Sequence, residues 1–525
     1  MTFRPGLLLC PILLYSIVGA GESRPVLAAS SPPLPEAIAP IKAPFPMAQP
    51  VRPRFPGQTF DIRDHGAVAD GRTKNTAAIA RAIAAAAAAG GGTVLVPAGR
   101  WLTGPIHLDS HINLCVAEGA VLLFSQDFSD YWPPVLSRHE GMDCMKYSSF
   151  IYANGKTDIA ITGRGTLEGQ GKPWWQQAEA LKAQDARSLD EMAGANLPIA
   201  ERIVHLRPAF FQPIHCRNIL VEGVTFRYGA FWTIQPTYCE NVIVRGVKIV
   251  TEGEYGHTPN GDGVNPDSCR NVLIEYCDLS TGDDCFALKS GRAADGRRVA
   301  RPLENVVIRH CFTRQGHGGV VVGSETSGGI RNLYVHDCIF VGTDRGVRIK
   351  TARGRGAAIE NLWFRELTMR KIRREAVLIH MLRYTPRLPE FPVDETTPRI
   401  RHVSFDHITC EGTGGDAIQL VGLPELPMRD IVFDHIAIKS ATGVSATDAR
   451  EVRFQEVAIN PQSGPVYSLT DCMAVTIKAV DAPGEGRPFL HAAGARTKAI
   501  RLPANVGMHS VMVSDGAPRS EITFH

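Results

Sequence analysis

One pattern of apolar and polar positions recurs along the middle of the chain. Each copy opens with a polar residue, has apolar residues at its second and fourth positions, and has another apolar residue at its seventh. The copies begin at Asn218, Asn241, Asn271, Asn305, Asn332, Asn361, His402, Asp430 and Glu451. Because positions two apart share one face of a β-strand, each copy predicts a short strand with one buried face.

The spacing of these copies predicts how the strands are arranged. Consecutive copies start between 21 and 41 residues apart. This range is typical of the coils of a parallel β-helix whose loops vary in length. A β-propeller is the alternative, but its period of about 40 to 50 residues is longer and more regular. The pattern therefore predicts an all-β solenoid, a parallel β-helix.

Two segments outside the repeat predict helices. Asn75 to Ala89 is rich in alanine, places Ile79 and Ile83 on one helical face, and is followed by three glycines that end the helix. A strand is expected to begin at Thr93, and the helix is expected to cap the open end of the first coil. Residues 174–205 interrupt the repeat, and we expect an excursion with helical character there.

The first residues have the pattern of a signal peptide, predicted over residues 1–20. Arg4 precedes an apolar stretch that is too short to span a bilayer comfortably, and Val18-Gly19-Ala20 supplies small residues for cleavage. Residues 21–57 are rich in proline and predict an extended, poorly ordered linker. The folded domain is expected over residues 58–525. The protein is therefore expected to be exported, to the periplasm or outside the cell, without a membrane span.

Net charge limits the partners that can be expected. The chain carries 56 lysines and arginines against 53 aspartates and glutamates, a formal net charge of +3. So small a charge gives no general field for nucleic acid, although a local basic patch can still serve an acidic substrate.

The twelve cysteines require separate interpretations. Cys277, Cys311 and Cys338 occupy the seventh position of the repeat, which other copies fill with valine, leucine or isoleucine. We interpret these three as small buried apolar residues. Cys269 and Cys285 lie outside that position and are the better disulfide candidates, with a connectivity that sequence cannot give.

Counting from the start of each coil predicts which polar side chains stack. Asp283, His317 and Asp344 each lie 12 residues after the asparagine that opens their coil. Equivalent positions of successive coils lie about 4.8 Å apart, so these groups should form a row. Asp284 adjoins Asp283, and Asp267 ends the loop of the preceding coil.

Clustered carboxylates suit the cleavage of glycosidic bonds. They repel one another, so one tends to keep a proton, and a protonated carboxyl beside ionised ones supplies both the acid and the base of the reaction. Adjacent side chains on a regular strand point to opposite faces. Asp283 and Asp284 can therefore share a cleft only if they lie at a bend, which Gly282 would permit.

Two more motifs indicate contacts with a ligand. His317 stands between glycines, which allow a ligand to approach the backbone closely. Arg348 and Lys350 lie two apart on one strand face, with Ile349 pointing to the core, and such a cationic pair suits a sugar carboxylate.

At these residues the chain resembles glycoside hydrolase family 28, the polygalacturonase family. The matching motifs, in chain order, are Asn265-Pro266-Asp267, Gly282-Asp283-Asp284, Gly316-His317-Gly318 and Arg348-Ile349-Lys350. The resemblance covers the chain from Phe60 to the C-terminal coils. It implies a right-handed parallel β-helix that hydrolyses α-1,4-galacturonide links with inversion and uses neither metal nor cofactor.

The resemblance also implies a role for each site residue. It implies that Asp283 is the general acid and that Asp267 and Asp284 hold and activate the attacking water. His317 would support the charge state of the acid. The substrate-binding residues that it implies are Arg348, Lys350, Asn265 and Gly318, with Tyr384 as a further candidate near the sugar.

The expected function is the hydrolysis of an acidic polysaccharide or its oligosaccharides, polygalacturonate or pectin, from the chain end. Proline at position 266 is consistent with an exo-acting bacterial type, and inserts at residues 174–205 and 383–399 could close the cleft. Three alternatives stay open. They are a hydrolase of another pectic backbone such as rhamnogalacturonan, a non-catalytic β-helix that binds glycans, and a calcium-dependent pectate lyase.

Overall fold

The structure, a computed structural model, describes residues 32–253, 256–383, 385–478 and 487–525. The predicted signal peptide, residues 1–20, and Tyr384 lie outside the described residues. No helix in the described part of the chain is long and apolar enough to cross a bilayer.

Most strands belong to one large parallel sheet that follows the whole domain. It contains 24 strands among the described residues. In chain order these are Thr59–Asp61, Asp70–Lys74, Gly92–Val96, Gly99–Thr103, Ile112–Val116, Ala120–Phe124, Thr157–Gly163, Thr166–Glu168, Arg217–Glu222, Thr225–Arg227, Glu240–Arg245, Lys248–Val250, Arg270–Glu275, Asp278–Ser280, Leu303–Arg309, Phe312–Gln315, Ile330–Val341, Ala358–Arg370, Arg399–Cys410, Met428–Ser440, Ala449–Pro461, Met473–Lys478, Lys498–Leu502 and Ile522–Phe524.

A second parallel sheet, called here the nine-stranded sheet, carries the side chains of most interest for function. Its strands are Phe286–Leu288, Val320–Val322, Val347–Lys350, Val377–His380, Asp416–Val421, Thr442–Thr447, Tyr467–Thr470, Leu490–Ala493 and Val511–Ser514. Each pairs with the strand of the next coil. The chain is therefore a right-handed parallel β-helix, as the spacing of the repeat and the family resemblance predict.

The remaining strands form small sheets at the N-terminal half. A three-stranded parallel sheet contains Ile106–His107, Ile151–Asn154 and Phe211–Ile214, and two antiparallel pairs join Val135–His139 to Met142–Lys146 and Glu252–Gly253 to Gly256–His257. The α-helices are Thr76–Ala88, Lys172–Gln176, Ala178–Lys182, Leu189–Gly194 and Ala293–Val299. Short 3-10 helices are Ile62–His65, Phe128–Tyr131, Ile199–Glu201, Met508–Ser510 and Arg519–Glu521.

The backbone conformation explains why asparagine occupies the first position of many coils. Asn271, Asn305 and Asn332 adopt left-handed backbone conformations, with φ between 57° and 58°. Asparagine tolerates this region better than most residues with a side chain. The amide of Asn305 donates to the side-chain oxygen of Asn271 at 3.1 Å, and Asn332 donates to Asn305 at 3.0 Å. The polar first position of the repeat is thus a ladder of side-chain hydrogen bonds at the turn into each strand.

The apolar positions of the repeat form one continuous core. All nine residues at the seventh position are buried in the same cluster: Val224, Val247, Cys277, Cys311, Cys338, Leu367, Ile408, Ile436 and Val457. Stacked rings extend this packing, since Phe405 lies 4.9 Å from Phe364 and 4.8 Å from Phe433 between ring centroids.

The disulfide prediction for Cys269 and Cys285 is wrong. Both are free thiols, as are the other described cysteines. Cys269 stacks with Cys239 in a second row of the core, where its Sγ accepts from the backbone N–H of Cys239 at 3.3 Å. Burial raises the pKa of the Cys285 thiol to about 12. These two residues are buried core residues, like the three cysteines of the seventh position.

The predicted N-terminal helix is present over Thr76–Ala88 and buries Ile79 and Ile83 in the main core. Its role in capping the first coil stays a prediction. The excursion at residues 174–205 is helical, as predicted, and contains most of three short α-helices.

The proline-rich segment differs from the poorly ordered linker that its composition predicts. Its described part contains no helix or strand before Thr59. However, Ile41 and Phe45 are buried against outward-facing apolar residues of the large sheet, among them Leu220 and Ile243. Buried Arg309 also donates to the carbonyl of Ala39 at 2.7 Å. This segment is thus packed onto the β-helix, because prolines leave backbone carbonyls free to accept from its arginines.

Candidate active site

Asp283 and Asp284 lie in the bend between strand Asp278–Ser280 and strand Phe286–Leu288, as predicted. The need for Gly282 is steric. A Cβ at this position would lie 2.4 Å from the carbonyl oxygen of Thr258, so the glycine permits close packing of two coils. The bend allows both aspartates to face one cavity.

His317 occupies the same bend one coil later. Its backbone N–H donates to the carbonyl of Asp283 at 2.9 Å, and its Nδ1 lies 2.9 Å from Oδ1 of the same residue. The glycines around it serve the packing of coils, since a Cβ at Gly316 would lie 2.8 Å from the Asp283 carbonyl oxygen. Of the predicted row, Asp283 and His317 therefore lie together. Asp344, its third member, pairs with Arg373 at 3.1 Å and does not line the cavity.

A third carboxylate, Asp262, faces the same cavity and was missed by the sequence interpretation. The backbone N–H of Gly263 donates to the carbonyl of Asp284 at 3.0 Å, which places Asp262 beside Asp284 on the preceding coil. Asn265 donates to Oδ2 of Asp262 at 2.9 Å. Oδ1 of Asp262 and Oδ1 of Asp284 are both buried and have no hydrogen-bond partner among the described residues.

Cations face these carboxylates from the nine-stranded sheet. Lys350 donates to Oδ2 of Asp284 at 2.8 Å. Arg348, on the same strand face, makes no hydrogen bond or ion pair with the described residues, although its Nε is buried. Lys289 pairs with Glu325 at 2.8 Å and lies 4.4 Å from the centre of the Trp232 ring. Ile349 points into the core, as predicted.

The carboxylates, the histidine and the cations together line one cavity of about 690 Å³: Asp262, Asp283, Asp284, Lys289, His317, Arg348 and Lys350. One end of its wall is an ionic cluster, in which Arg292 contacts Glu140 at 3.1 Å and Asp190 at 2.6 Å. Asp190 comes from the helical excursion, and Glu140 from the turn of the antiparallel pair. Arg383 and Thr385 line the cavity as well. Tyr384, the candidate between them, lies outside the described residues.

The sequence profile of the glycosyl hydrolases family 28 matches residues 94–459. The chain belongs to this family. It is therefore an enzyme, a glycoside hydrolase of the polygalacturonase family.

Similar proteins cover most of the domain. The solved exopolygalacturonase of Thermotoga maritima is 34% identical, with a TM-score of 0.67 over 82% of this chain and 94% of that one. A family 28 exopolygalacturonase of Yersinia enterocolitica shares the fold, with a TM-score of 0.68 at 23% identity over 80% of this chain and 78% of that one. A probable polygalacturonase of Vitis vinifera is 32% identical over 391 residues, 72% of this chain and 74% of the relative.

Three predicted site residues of this family 28 enzyme are not among the residues that line the cavity. Asp267 does not line the cavity; it is fully buried and lies 3.2 Å from Nη1 of Arg138. Asn265 is also fully buried and holds Asp262. Gly318 accepts from the backbone N–H of Cys285 at 2.9 Å. The structure thus places Asp262, five residues before Asp267, in the cavity.

Two carboxylates of the family 28 site have pKa values that are shifted in opposite directions. Burial and the neighbouring charge of Asp283 raise the pKa of Asp262 well above its ordinary value. Burial also acts to raise the pKa of Asp283, but the hydrogen bond and charge of His317, with the charges of Lys350 and Lys289, outweigh it and lower this pKa. Carboxyl groups whose surroundings separate their pKa values in this way are candidates for the acid and base roles in one reaction.

Asp283, Asp284 and His317 are residue types that can also bind a metal ion. One ligand atom each of Asp283, Asp284 and His317 lie within 4.8 Å of one another, a spacing that could hold a cation. However, the Lys350 ammonium already pairs with Asp284, and a protonated His317 pairs with Asp283. These positive partners compete with a metal for the same oxygens. Metal independence stays a prediction, which activity in the presence of a chelator tests.

We expect His317 to titrate above the ordinary histidine value near 6.5. The hydrogen bond to Asp283 raises the pKa of His317 against the opposing effect of burial. The stability that a raised histidine pKa contributes is present below about pH 6.5 and is lost as pH rises through the folded pKa. The stability from the lowered pKa of Asp283 is lost as pH falls through that value, so the pair is intact in mildly acidic solution.

Histidine NMR across a pH titration measures this pKa directly. In Asp283→Asn the His317 pKa should fall, because the neutral amide retains a hydrogen bond but not the charge. The partly buried His65 does not line the cavity and provides an internal reference, since its resonance should not respond to the substitution. An unchanged His317 pKa in the variant would contradict the pairing.

Proposed function

We propose that this enzyme is an exported polygalacturonase that hydrolyses α-1,4-galacturonide links with inversion, acting from the chain end. One observation carries the proposal. Two buried carboxylate oxygens without protein partners, on Asp262 and Asp284, face the same cavity as Asp283 and the unpaired guanidinium of Arg348. Such a site offers an acid, a base and a partner for an acidic sugar.

Asp283 is the general acid of the proposed mechanism. It delivers a proton to the oxygen of the leaving sugar, and His317, hydrogen-bonded to Oδ1, replenishes that proton between cycles. Because its raised pKa keeps His317 protonated in mildly acidic solution, the pair holds one transferable proton there.

Asp262 and Asp284 hold the attacking water, and Asp284, the partner of Lys350, accepts its proton. A buried carboxylate oxygen needs a hydrogen-bond donor, and a water between the two free Oδ1 atoms would satisfy both. Asn265 fixes Asp262, and Lys350 fixes Asp284, so neither carboxylate can turn away. The water-holding carboxylates are distinct from the acid, as single-displacement hydrolysis with inversion requires.

Arg348 binds the carboxylate of the sugar at the cleaved bond. Its guanidinium is the cavity cation that the described residues leave unpaired, whereas Lys350 is engaged by Asp284. Burial lowers the pKa of Arg348, which still leaves it charged. An acidic ligand therefore gains a charge-assisted hydrogen bond that no protein group already makes.

We expect Arg348→Gln to lower kcat/KM on polygalacturonate by about 10- to 100-fold, the value of a hydrogen bond to a charged group. The same variant should change hydrolysis of methyl-esterified polymer far less, because the ester has no charge to lose. Arg345→Gln is the matched control, since Arg345 pairs with Glu375 at 2.7 Å and does not line the cavity. Equal losses on both polymers would contradict this role.

The wall of the cavity supports action at the chain end. Arg292 connects the turn at Glu140 to Asp190 of the helical excursion, and Arg202 connects the same region to Asp295 at 2.9 Å. These ion pairs join separate segments of the chain at and beside the wall of the cavity. Relatives named as exo-acting, including the Thermotoga maritima enzyme, favour the same mode.

The size of the first products tests the proposal as a whole. We expect purified enzyme with polygalacturonate, at mildly acidic pH and with chelator present, to release monogalacturonate or digalacturonate from the start. A spread of longer oligomers would reject action at the chain end. No new reducing ends from polygalacturonate, with release from rhamnogalacturonan, would reject the substrate and leave hydrolysis of another pectic backbone.

A further inference from the structure

A second cavity, of about 490 Å³, opens beside the N-terminal coils of the large sheet. It is bordered by strands Gly99–Thr103, Ala120–Phe124, Thr166–Glu168 and Thr225–Arg227 and by the helix Lys172–Gln176. It shares no lining residue with the active-site cavity. The hydrolytic mechanism uses none of its side chains.

An indole forms part of the lining of this second cavity. Trp175 is partly buried, and its ring N–H donates to the carbonyl of Gly229 at 2.9 Å. Glycine at position 171 permits this packing, because a Cβ there would lie 2.1 Å from the same carbonyl oxygen. The indole is thus fixed by its polar edge, and fixed aromatic rings of this kind offer contact area at little entropic cost.

Positive charge surrounds the indole. Arg100, Lys172 and Arg227 line the second cavity against a single carboxylate, Glu168. Arg227 lies 3.7 Å from Glu168. Arg100 and Lys172 are exposed and make no side-chain hydrogen bond or ion pair in the described part of the chain. Two cations without protein partners beside an aromatic ring suit a ligand with both carboxylates and sugar rings.

We propose that the second cavity binds a uronate segment of a long acidic polysaccharide, apart from the segment being cleaved. The class of ligand rests on the proposed function, and the site itself rests on the placement of Trp175, Arg100 and Lys172. Glu168 lines the second cavity, where the backbone N–H of Gln170 donates to its Oε1, and its carboxylate is the acceptor we expect for a sugar hydroxyl.

One turn connects the two cavities. Tyr228 lines the second cavity, and Trp232, four residues later, lines the active-site cavity. The two cavities are therefore lined by residues only four positions apart in the chain, a separation that a long polymer can span. Tethering at the second cavity raises the effective concentration of the chain end at the active-site cavity without any change in the chemistry.

Affinity electrophoresis through gels that contain long polygalacturonate tests this site. The parent protein is Asp283→Asn, so that the polymer is not consumed. We expect the double substitution Arg100→Gln and Lys172→Gln to weaken retention at least about threefold, from the loss of two exposed ion contacts. Both side chains are exposed, so the variant should fold like the parent. Lys248→Gln, an exposed lysine outside both cavities, is the matched control and should not change retention.

Two further comparisons separate this site from the active site. The double substitution should reduce retention by the same factor in an Arg348→Gln background, because sites without shared residues contribute additively. The difference in retention between the double variant and its parent should disappear in gels of methyl-esterified polymer. Unchanged retention of the double variant, or an equal loss in Lys248→Gln, would overturn the proposal. Retention does not require turnover, so it reports on this cavity even if the wild-type enzyme hydrolyses another backbone.

Discussion

Asp283→Asn is expected to hydrolyse polygalacturonate about 10³-fold more slowly than the wild type, within the range for loss of general acid catalysis. The asparagine has nearly the same shape and can still accept a hydrogen bond from His317, so the site should keep its geometry. It cannot deliver a proton to the departing sugar oxygen. Initial rates of reducing-end release at saturating polymer measure the effect.

The leaving group decides whether the lost function is acid catalysis. An aryl galacturonide with an acidic phenol departs without protonation, so the variant should lose far less activity on it than on polymer. His317→Gln is the companion variant and should show a smaller loss, because the acid itself remains. Equal losses of Asp283→Asn on polymer and on aryl galacturonide would contradict the assignment of Asp283 as the acid.

Asp262→Asn and Asp267→Asn are expected to have opposite effects, although the two residues are five positions apart. Asp262→Asn should lower kcat by at least about 100-fold, because it removes a carboxyl group that positions the attacking water. Its free energy of unfolding should change little. Asp267→Asn should keep kcat within about twofold but lower the free energy of unfolding by about 3 kcal/mol, because buried Arg138 loses a charged partner.

Rate assays and denaturant unfolding of both variants measure these opposite effects on kcat and on the free energy of unfolding. Asp267 accepts hydrogen bonds from the backbone N–H of Gly291 at 3.0 Å and from Ser268 at 3.1 Å, so its role is to hold the segment behind the cavity. A large loss of kcat in folded Asp267→Asn, with normal turnover by Asp262→Asn, would restore the assignment that the sequence motif suggested.

Most of the site could be predicted because coil register is a local property of the sequence. Counting from the opening asparagine placed Asp283 beside His317, and strand alternation put Arg348 and Lys350 on one face. The fold followed from the same counting, since the apolar second, fourth and seventh positions all enter the core.

Asp262 was missed because its coil has no regular strand at that point. The backbone register relates Val264 to Phe286, an offset of 22 residues, and the same offset leads from Asp284 to Asp262. Asp267 instead falls in register with Lys289. That register depends on loop lengths between coils, which vary. A search for a second acidic residue flanked by glycine, as in Gly261-Asp262-Gly263, could have identified it.

The reason why the second cavity and the packing of the N-terminal segment could not be predicted is different. Both join residues that are distant in the chain, such as Trp175 with Gly229 and Arg309 with Ala39. No periodicity relates these pairs. The composition of the proline-rich segment describes its local conformation correctly but says nothing of the arginines that bind it.

The stacked thiols bear on what happens after heat damage. In the folded chain ten of the eleven described cysteines are buried, and buried thiols are inert to oxidants. Unfolding exposes them together, and neighbours in the core rows then lie only a few dozen residues apart in a flexible chain. In an oxidising medium, random disulfides would trap such chains before their coils restack. The working lifetime of this enzyme would then be set by how fast it unfolds, and its recovery after heating by whether a reductant is present.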